Sequence, residues 1–187
     1  MLHSPTGVAK TMRVSSFLAI LWLMPLTVEA TSDTYESATI DASGRLRIVT
    51  TDHREVVIPM GQDQTSFVQP VISKDRRAVG ATTSYPNCCT SYDIPLQLVI
   101  YVDGVTHRFR SKDGLPIFQW GFVDSGRVAF GAEPVHFGCF VHYELRDIKS
   151  ERLIDSANVP EPCGQNPDPK PTKIPKWIVA LATPGAK

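Results

Sequence analysis

Cys139 stands between two histidines, in His136-Phe137-Gly138-Cys139-Phe140-Val141-His142, three positions from each. Imidazole and thiolate together are ligand types that suit zinc or copper, and the adjacent pair Cys88 and Cys89 could approach them. Strand parity works against such a site. Side chains alternate along a strand, so Cys139 and Val141 would face one way while His142 and Glu144 face the other. Three ligands then fail to converge without a bulge, and no metal or other cofactor is expected. A metal or redox site built from Cys88, Cys89, Cys139 and the nearby histidines remains the alternative to the main reading below.

The chemistry favoured for the four cysteines, Cys88, Cys89, Cys139 and Cys163, is disulfide formation, as in other exported domains. A bond between neighbours is strained, because Cα atoms across a trans peptide lie ~3.8 Å apart, below the usual disulfide range of about 4.4–6.8 Å. One arrangement staples a loop carrying Cys88 and Cys89 to Cys139 and tethers the tail through Cys163. The other pairs Cys88 with Cys89 and Cys139 with Cys163. Both remain open, and each closed loop would contribute about 2–4 kcal/mol.

For catalysis the chain offers scattered acids and bases: Asp93, Asp124, Glu133, His136, His142 and Glu144. No Gly-x-Ser-x-Gly elbow, His-Glu-x-x-His pair or phosphate loop accompanies them. Glu133 and His136 are the closest pair, and a surface ion pair explains them. No catalytic residue is assigned, and a hydrolase is only the second alternative. Aromatic side chains point instead to contact. Tyr85, Tyr92, Phe118, Trp120, Phe137 and Tyr143 flank two irregular loops, 85–94 and 132–137, and tyrosine and tryptophan favour contact surfaces. Alternation puts one of Phe118 and Trp120 in the core. The binding-surface candidates are Tyr85, Asn87, Tyr92, Asp93, Glu133 and His136.

The elements that must position these residues have a period of two. Residues 45–60 read as two strands around Thr51-Asp52-His53-Arg54, with Leu46 and Ile48 sharing a face. Strands at 67–73 and 78–84 follow, about the polar turn 74–77. A long strand at 95–102 ends at Asp103-Gly104, a strong hairpin signal because both central residues of that turn need positive φ, and 106–111 returns. The pattern restarts at 117–123, with the turn Asp124-Ser125-Gly126, then 127–131, 138–148 and 152–156. No sustained amphipathic helix interrupts it. The expected fold is all-β: two antiparallel four-stranded meanders packed as a two-sheet domain, an N-terminal hairpin, and a Pro-rich tail.

The restart is an internal repeat. Asp75 and Asp124 lie 49 positions apart, each in a tight turn followed by Arg and a short apolar strand. Asp41-Ala42-Ser43-Gly44-Arg45 reads as a third, weaker copy. This succession of strand, Asp-Gly-Arg-like turn, strand and long strand ending in an acidic turn resembles the WD-repeat-like blades of TolB-type exported β-propellers over about residues 66–157. The units are about 66–113 and 116–157. Asp124, Gly126 and Arg127 fit the turn, whereas Lys74 and Arg76 stand where that family usually has Pro and Gly. Propellers close with about 4–8 blades, so the resemblance implies either blades that pair between chains, as a homo-oligomer, or two sheets packed face to face. The face-to-face arrangement is preferred, with the tail over an edge. Asn87-Cys88-Cys89-Thr90-Ser91-Tyr92 and His142-Tyr143-Glu144-Leu145-Arg146-Asp147 also resemble segments of bacterial exported proteins, a likeness that supplies no activity.

The start and end of the chain complete the expectation. Lys10 and Arg13 precede an uncharged run at 14–26, and Val28 and Ala30 offer small residues for a signal peptidase. Residues 1–30 read as a signal peptide, with Met12 an alternative start. The run is short of the ~20 residues that span a bilayer. Cleavage after Ala30 leaves 157 residues, one domain's worth, carrying 17 basic and 18 acidic side chains. That balance argues against nucleic acid and, after cleavage, against a membrane as partner. Residues 31–157 form the β domain. From 158 the prolines at 160, 162, 167, 169, 171 and 175 mark an extended tail, and 177–181 is apolar enough to dock, as a strand or a helical turn. The whole reads as a periplasmic or extracellular binding module for a protein or small ligand.

Overall fold

The computed structural model of the protein describes residues 33–88, 91–135, 139–161, 173–179 and 181. Among the described residues, eleven antiparallel strands make three consecutive meanders. The N-terminal sheet holds β1 (Tyr35–Ile40), β2 (Leu46–Thr50) and β3 (Glu55–Ile58). The middle sheet holds β4 (Ser66–Ile72), β5 (Ala78–Tyr85), β6 (Ile94–Val102) and β7 (Val105–Phe109). The C-terminal sheet holds β8 (Ile117–Phe122), β9 (Arg127–Ala132), β10 (Phe140–Asp147) and β11 (Leu153–Pro160). The fold is therefore all-β, with the two four-stranded meanders where the sequence pattern puts them.

Two features extend the expectation. The N-terminal hairpin gains a third strand, β1, whose sequence YESATI alternates too weakly to announce itself. Its Tyr35 and Ala38 pack inward, and β2 pairs with it along its length. At the other end β11 continues to Pro160, which pairs with Phe140. Proline is tolerated there because β11 is an edge strand.

The middle sheet is buried on both faces. Val79, Ala81, Val99 and Tyr101 pack against Tyr35, Leu46, Ile48 and Ile58 of the N-terminal sheet. Ala78, Leu98, Ile100 and Val102 pack against Ile117, Val128 and Phe130 of the C-terminal sheet. Strand β6 consequently reads LQLVIYV, an almost unbroken apolar run in place of an alternating one, because side chains on both of its faces leave water. Burying a Leu, Ile or Val side chain stabilises by about 1.5–3 kcal/mol, so these two cores hold the stack together.

Tight turns fix the strand ends. Asp103 and Gly104 have φ of 49° and 78°, as the Asp-Gly signal requires. Asp124 Oδ1 accepts from Gly126 N at 3.0 Å while its Oδ2 accepts from Arg127 Nε at 2.7 Å. The Asp41 turn is built alike, accepting from Ser43 N and Arg45 N, yet it does not hold the equivalent place. It joins β1 to β2, and Gly44 O accepts from Phe67 N at the start of β4. The Asp75 turn lies at the opposite end of the strands, where Arg76 O accepts from Tyr35 N. The Asp41 turn thus links the first two strands of its sheet, as the Asp75 turn links β4 to β5 and the Asp124 turn links β8 to β9, but it lies at the other end of the strands.

The tail docks on a face. Helix α1 (Lys176–Val179) buries Ile178 against Val141 and Tyr143, with Trp177 and Leu181 beside it. This is the outer face of the C-terminal sheet, so its cover lies over a face where an edge was expected. Gly131 makes the surface flat, because a Cβ there would meet Tyr143 Cε1 at 2.8 Å. The outer face of the N-terminal sheet is polar, with Arg47 Nε 3.1 Å from Glu55. No helix of the described residues is long and apolar enough to cross a membrane.

Candidate functional site

The two long loops, β5–β6 and β9–β10, open at the same end of the stack. Their opposite ends are the tight turns, and Ser73, Lys74 and Asp75 of one line a shallow groove of about 400 Å³ with Phe122, Asp124 and Ser125 of the other. Turns that share a groove put the opposite strand ends, Tyr85 and Ile94 of the middle sheet and Ala132 and Phe140 of the C-terminal sheet, at the far rim. The groove's polar groups largely serve their own turns: Ser73 Oγ donates to Asp75 at 2.7 Å, and Arg127 holds Asp124.

At the rim the middle sheet gathers Tyr85, Asp93, Arg110 and Thr65. The Arg110 guanidinium lies 5.9 Å from the centre of the Tyr85 ring, a cation–π distance. Thr65 Oγ1 lies 2.5 Å from Asp93 Oδ2 and 3.0 Å from Ser84 O, and the Thr65 N–H donates to Ser84 O at 2.9 Å, which pins the end of the loop to the start of β4. Tyr92 is 52% exposed, while Asn87 is half-buried beside exposed Cys88. On the C-terminal sheet Glu133 is half-buried, its N–H donating to Pro116 O at 3.1 Å. Burial raises the Glu133 carboxyl above its ordinary range, and the charge of Glu161 adds to the effect.

The remaining candidates divide. Cys139 is exposed at the start of β10. His136, Phe137, Cys89 and Cys163 lie outside the described residues. Trp120 and Tyr143, expected near the contact loops, are packing residues. Trp120 stacks edge-on to Phe122 at 5.6 Å within the inter-sheet core, and Tyr143 lies under α1 with its hydroxyl donating to Gln119 Oε1 at 3.2 Å. Parity along β10 follows the alternation argued above: Val141 and Tyr143 face outward, and His142 and Glu144 face the middle sheet. Among the described residues no group of three or more His, Cys, Asp or Glu side chains is placed to hold a metal ion.

The sequence singled out Glu144 and His142 only as scattered acids and bases, and gave no sign that Glu144 is fully buried among the described residues. Glu144 is fully buried between the sheets. Its Oε1 accepts from Lys112 N at 2.7 Å, and its Oε2 accepts from Arg146 Nε at 2.7 Å and also from Arg146 Nη2. His142 Nε2 lies 3.4 Å from Oε1. The alternation His-x-Glu-x-Arg on one strand was the available signal, since residues two apart share a face. A carboxylate so enclosed needs these partners, because an unpaired buried charge is very costly. The cluster ties the 110–116 connection to β10.

Compared with known proteins, the chain matches no family model, no curated protein and no solved structure.

Proposed function

We propose that the chain is an exported, disulfide-stapled β-sheet module that binds a protein or small ligand through its rim loops, 85–93 and 133–139. The observation that carries this reading is the rim itself. Two long loops share one end of a three-sheet stack, with exposed Tyr92, the Tyr85–Arg110 stack and the half-buried Glu133 among their side chains. Loops held on a rigid scaffold are where binding concentrates, and a carboxylate kept in a desolvating place is a usable polar contact. The staple rests on four cysteines in a chain whose N-terminal segment reads as an export signal. Export rests on the basic start, the short apolar run and the small residues at Val28 and Ala30.

The test is a binding screen of the secreted, tagged protein on glycan and peptide arrays, repeated with Tyr92→Ala and Glu133→Gln. A ligand lost in those variants with melting temperatures no lower than that of the wild type supports the reading. Binding that survives both changes, or no ligand in either class, overturns it. A non-reducing native mass spectrum of the same preparation addresses the rest. A cleaved, metal-free chain four hydrogens light supports two disulfides, and a bound stoichiometric metal with free thiols would replace the staple with a metal site.

A further inference from the structure

The outer face of the C-terminal sheet is fitted to one peptide segment, and the chain itself shows which. The segment at 173–181 crosses the sheet from β11 to β8, and side chains at positions i, i+1 and i+4 hold it there. Trp177 Nε1 donates to Asp155 Oδ2 on β11 at 2.9 Å. Ile178, 4% exposed, packs on Val141 and Tyr143 of β10. Leu181 reaches Gly121 on β8, where an added Cβ would stand 3.1 Å from Leu181 Cδ2. Gly131 on β9 lies under the Tyr143 ring. Two glycines on neighbouring strands thus make room, one for the ring beneath the segment and one for the segment itself.

This contact is separable from the fold beneath it. The two inter-sheet cores close without the segment. Its backbone bonds, from Ile178 N to Pro175 O and from Leu181 N to Ile178 O, are local. None of these contacts depends on which copy of the chain supplies the segment. The Glu161 N–H still pairs with Cys139 O at the end of β11, and the eleven residues 162–172 separate Glu161 from Lys173. Such a connection reaches ~40 Å at most. Asp155 lies six positions behind Glu161, or about 20 Å along a strand, so the connection is roughly twice as long as seating within one chain requires. The formal net charge at pH 7 is zero, so long-range repulsion does not hold two copies apart.

We propose that the outer face of the C-terminal sheet is a docking site for the 173–181 segment of a second copy of this chain, so that two copies join by exchanging tails. A tether gives its own segment an effective concentration of about millimolar order, so a dilute copy closes on itself and exchange grows with concentration. The exchanged pair holds two such contacts, the second forming within the pair. The inference is independent of what the rim loops bind.

The experiment mixes two full-chain variants. Ile178→Asp keeps the face and spoils the segment. Gly121→Val keeps the segment and fills its place on the face, since a Cβ there meets Leu181 Cδ2 and no other described atom within 4 Å beyond its chain neighbours. Sedimentation and the amide spectrum of isotope-labelled Ile178→Asp are the readouts. Wild type should pass from one copy to two as it is concentrated, and each variant alone should stay single. Their mixture should form a one-to-one pair, in which the Gly121, Gly131 and Tyr143 amides of the labelled chain shift saturably. Wild type that stays single up to its solubility limit, a variant that pairs by itself, or a mixture that leaves those amides unmoved overturns the proposal. A synthetic peptide of residues 173–183 replaces Gly121→Val if that variant does not fold. It should move the same amides, and the same peptide carrying Ile178→Asp should not. Equal shifts from the two peptides, or none from either, overturn the exchange.

Discussion

The indole of Trp120 lies directly over Gly80: a Cβ added at Gly80 would stand 2.5 Å from Trp120 Cη2 and 2.6 Å from Ile100 Cδ1. The closest approach of the middle and C-terminal sheets is therefore set by the absence of a side chain. Gly80→Ala should destabilise by about 1–3 kcal/mol through overpacking. Gly80→Ala combined with Trp120→Ala should cost less than the two single changes added together, because the residues touch. Urea midpoints of the four proteins check this, and strict additivity would show that the sheets slide apart without strain.

Tyr35 gives a prediction of the opposite sign. Its ring is fully buried, 5.7 Å from Tyr101, and its hydroxyl has no hydrogen-bond partner among the described residues. Burial, with the charges of Tyr101, Asp33 and Asp103, pushes the phenol up to about 12, with the Asp103 backbone pulling the other way. An unsatisfied buried hydroxyl costs about 1–3 kcal/mol. Tyr35→Phe should therefore leave stability unchanged or raise it. A clear loss in a thermal melt would mean that the hydroxyl is satisfied, by the Asp103 backbone or by ordered water.

Ile178 tests the cover on the C-terminal sheet. It is the buried residue of α1 and rests on Val141 and Tyr143. Ile178→Asp should release the segment at 173–181, since a carboxylate cannot be buried there unpaired. Limited proteolysis should then trim the tail quickly and dye binding should report exposed apolar surface, while the sheet stack still melts cooperatively. Resistance to protease equal to wild type would argue that the segment is held by other contacts.

The acidic turns set the response to strong acid. Asp52 is lowered to about 2, first by the Thr50 hydroxyl and then by Arg54. Asp124 is lowered by the Arg127 side chain, Asp75 by the Ser73 hydroxyl, and Asp147 by the Ser150 side chain. A carboxylate depressed in the folded state contributes stability above its unfolded value of about 3.9, and that contribution is lost as pH falls through the folded value. The urea midpoint should hold down to about pH 4 and then drop towards pH 2, with a shallower drop in Asp52→Asn. Glu133 carries the reverse sign. Its raised carboxyl disfavours the folded state when ionised, so Glu133→Gln should stabilise at pH 7 and lose that advantage at pH 3. Equal effects at both values would remove desolvation as the cause.

Much of the strand pattern was legible because it is local. Leu46 and Ile48 alternate onto one face, Asp103-Gly104 demands positive φ, and the Asp124 turn closes on its own Arg127. Strand β1 was not legible, since YESATI carries little apolar alternation and gains its place from Tyr35 inserting beside Tyr101. The rim candidates Tyr85 and Asp93 were found from loop composition, whereas Arg110 and Thr65 were not. They approach from other segments, and sequence distance hides such neighbours.

What the sequence by itself determined is the all-β character, the meander order and the turn chemistry, all of which depend on residues a few positions apart. What only the tertiary structure decided is which faces meet. Three layers form because β6 is apolar on both faces and needs two partners, and α1 covers an outer face because Gly131 leaves room for Tyr143 to lie flat beneath it. Glu144 becomes buried, with His142 half-buried beside it, only when two sheets close over them. Desolvation belongs to the packed assembly, and no single strand carries it.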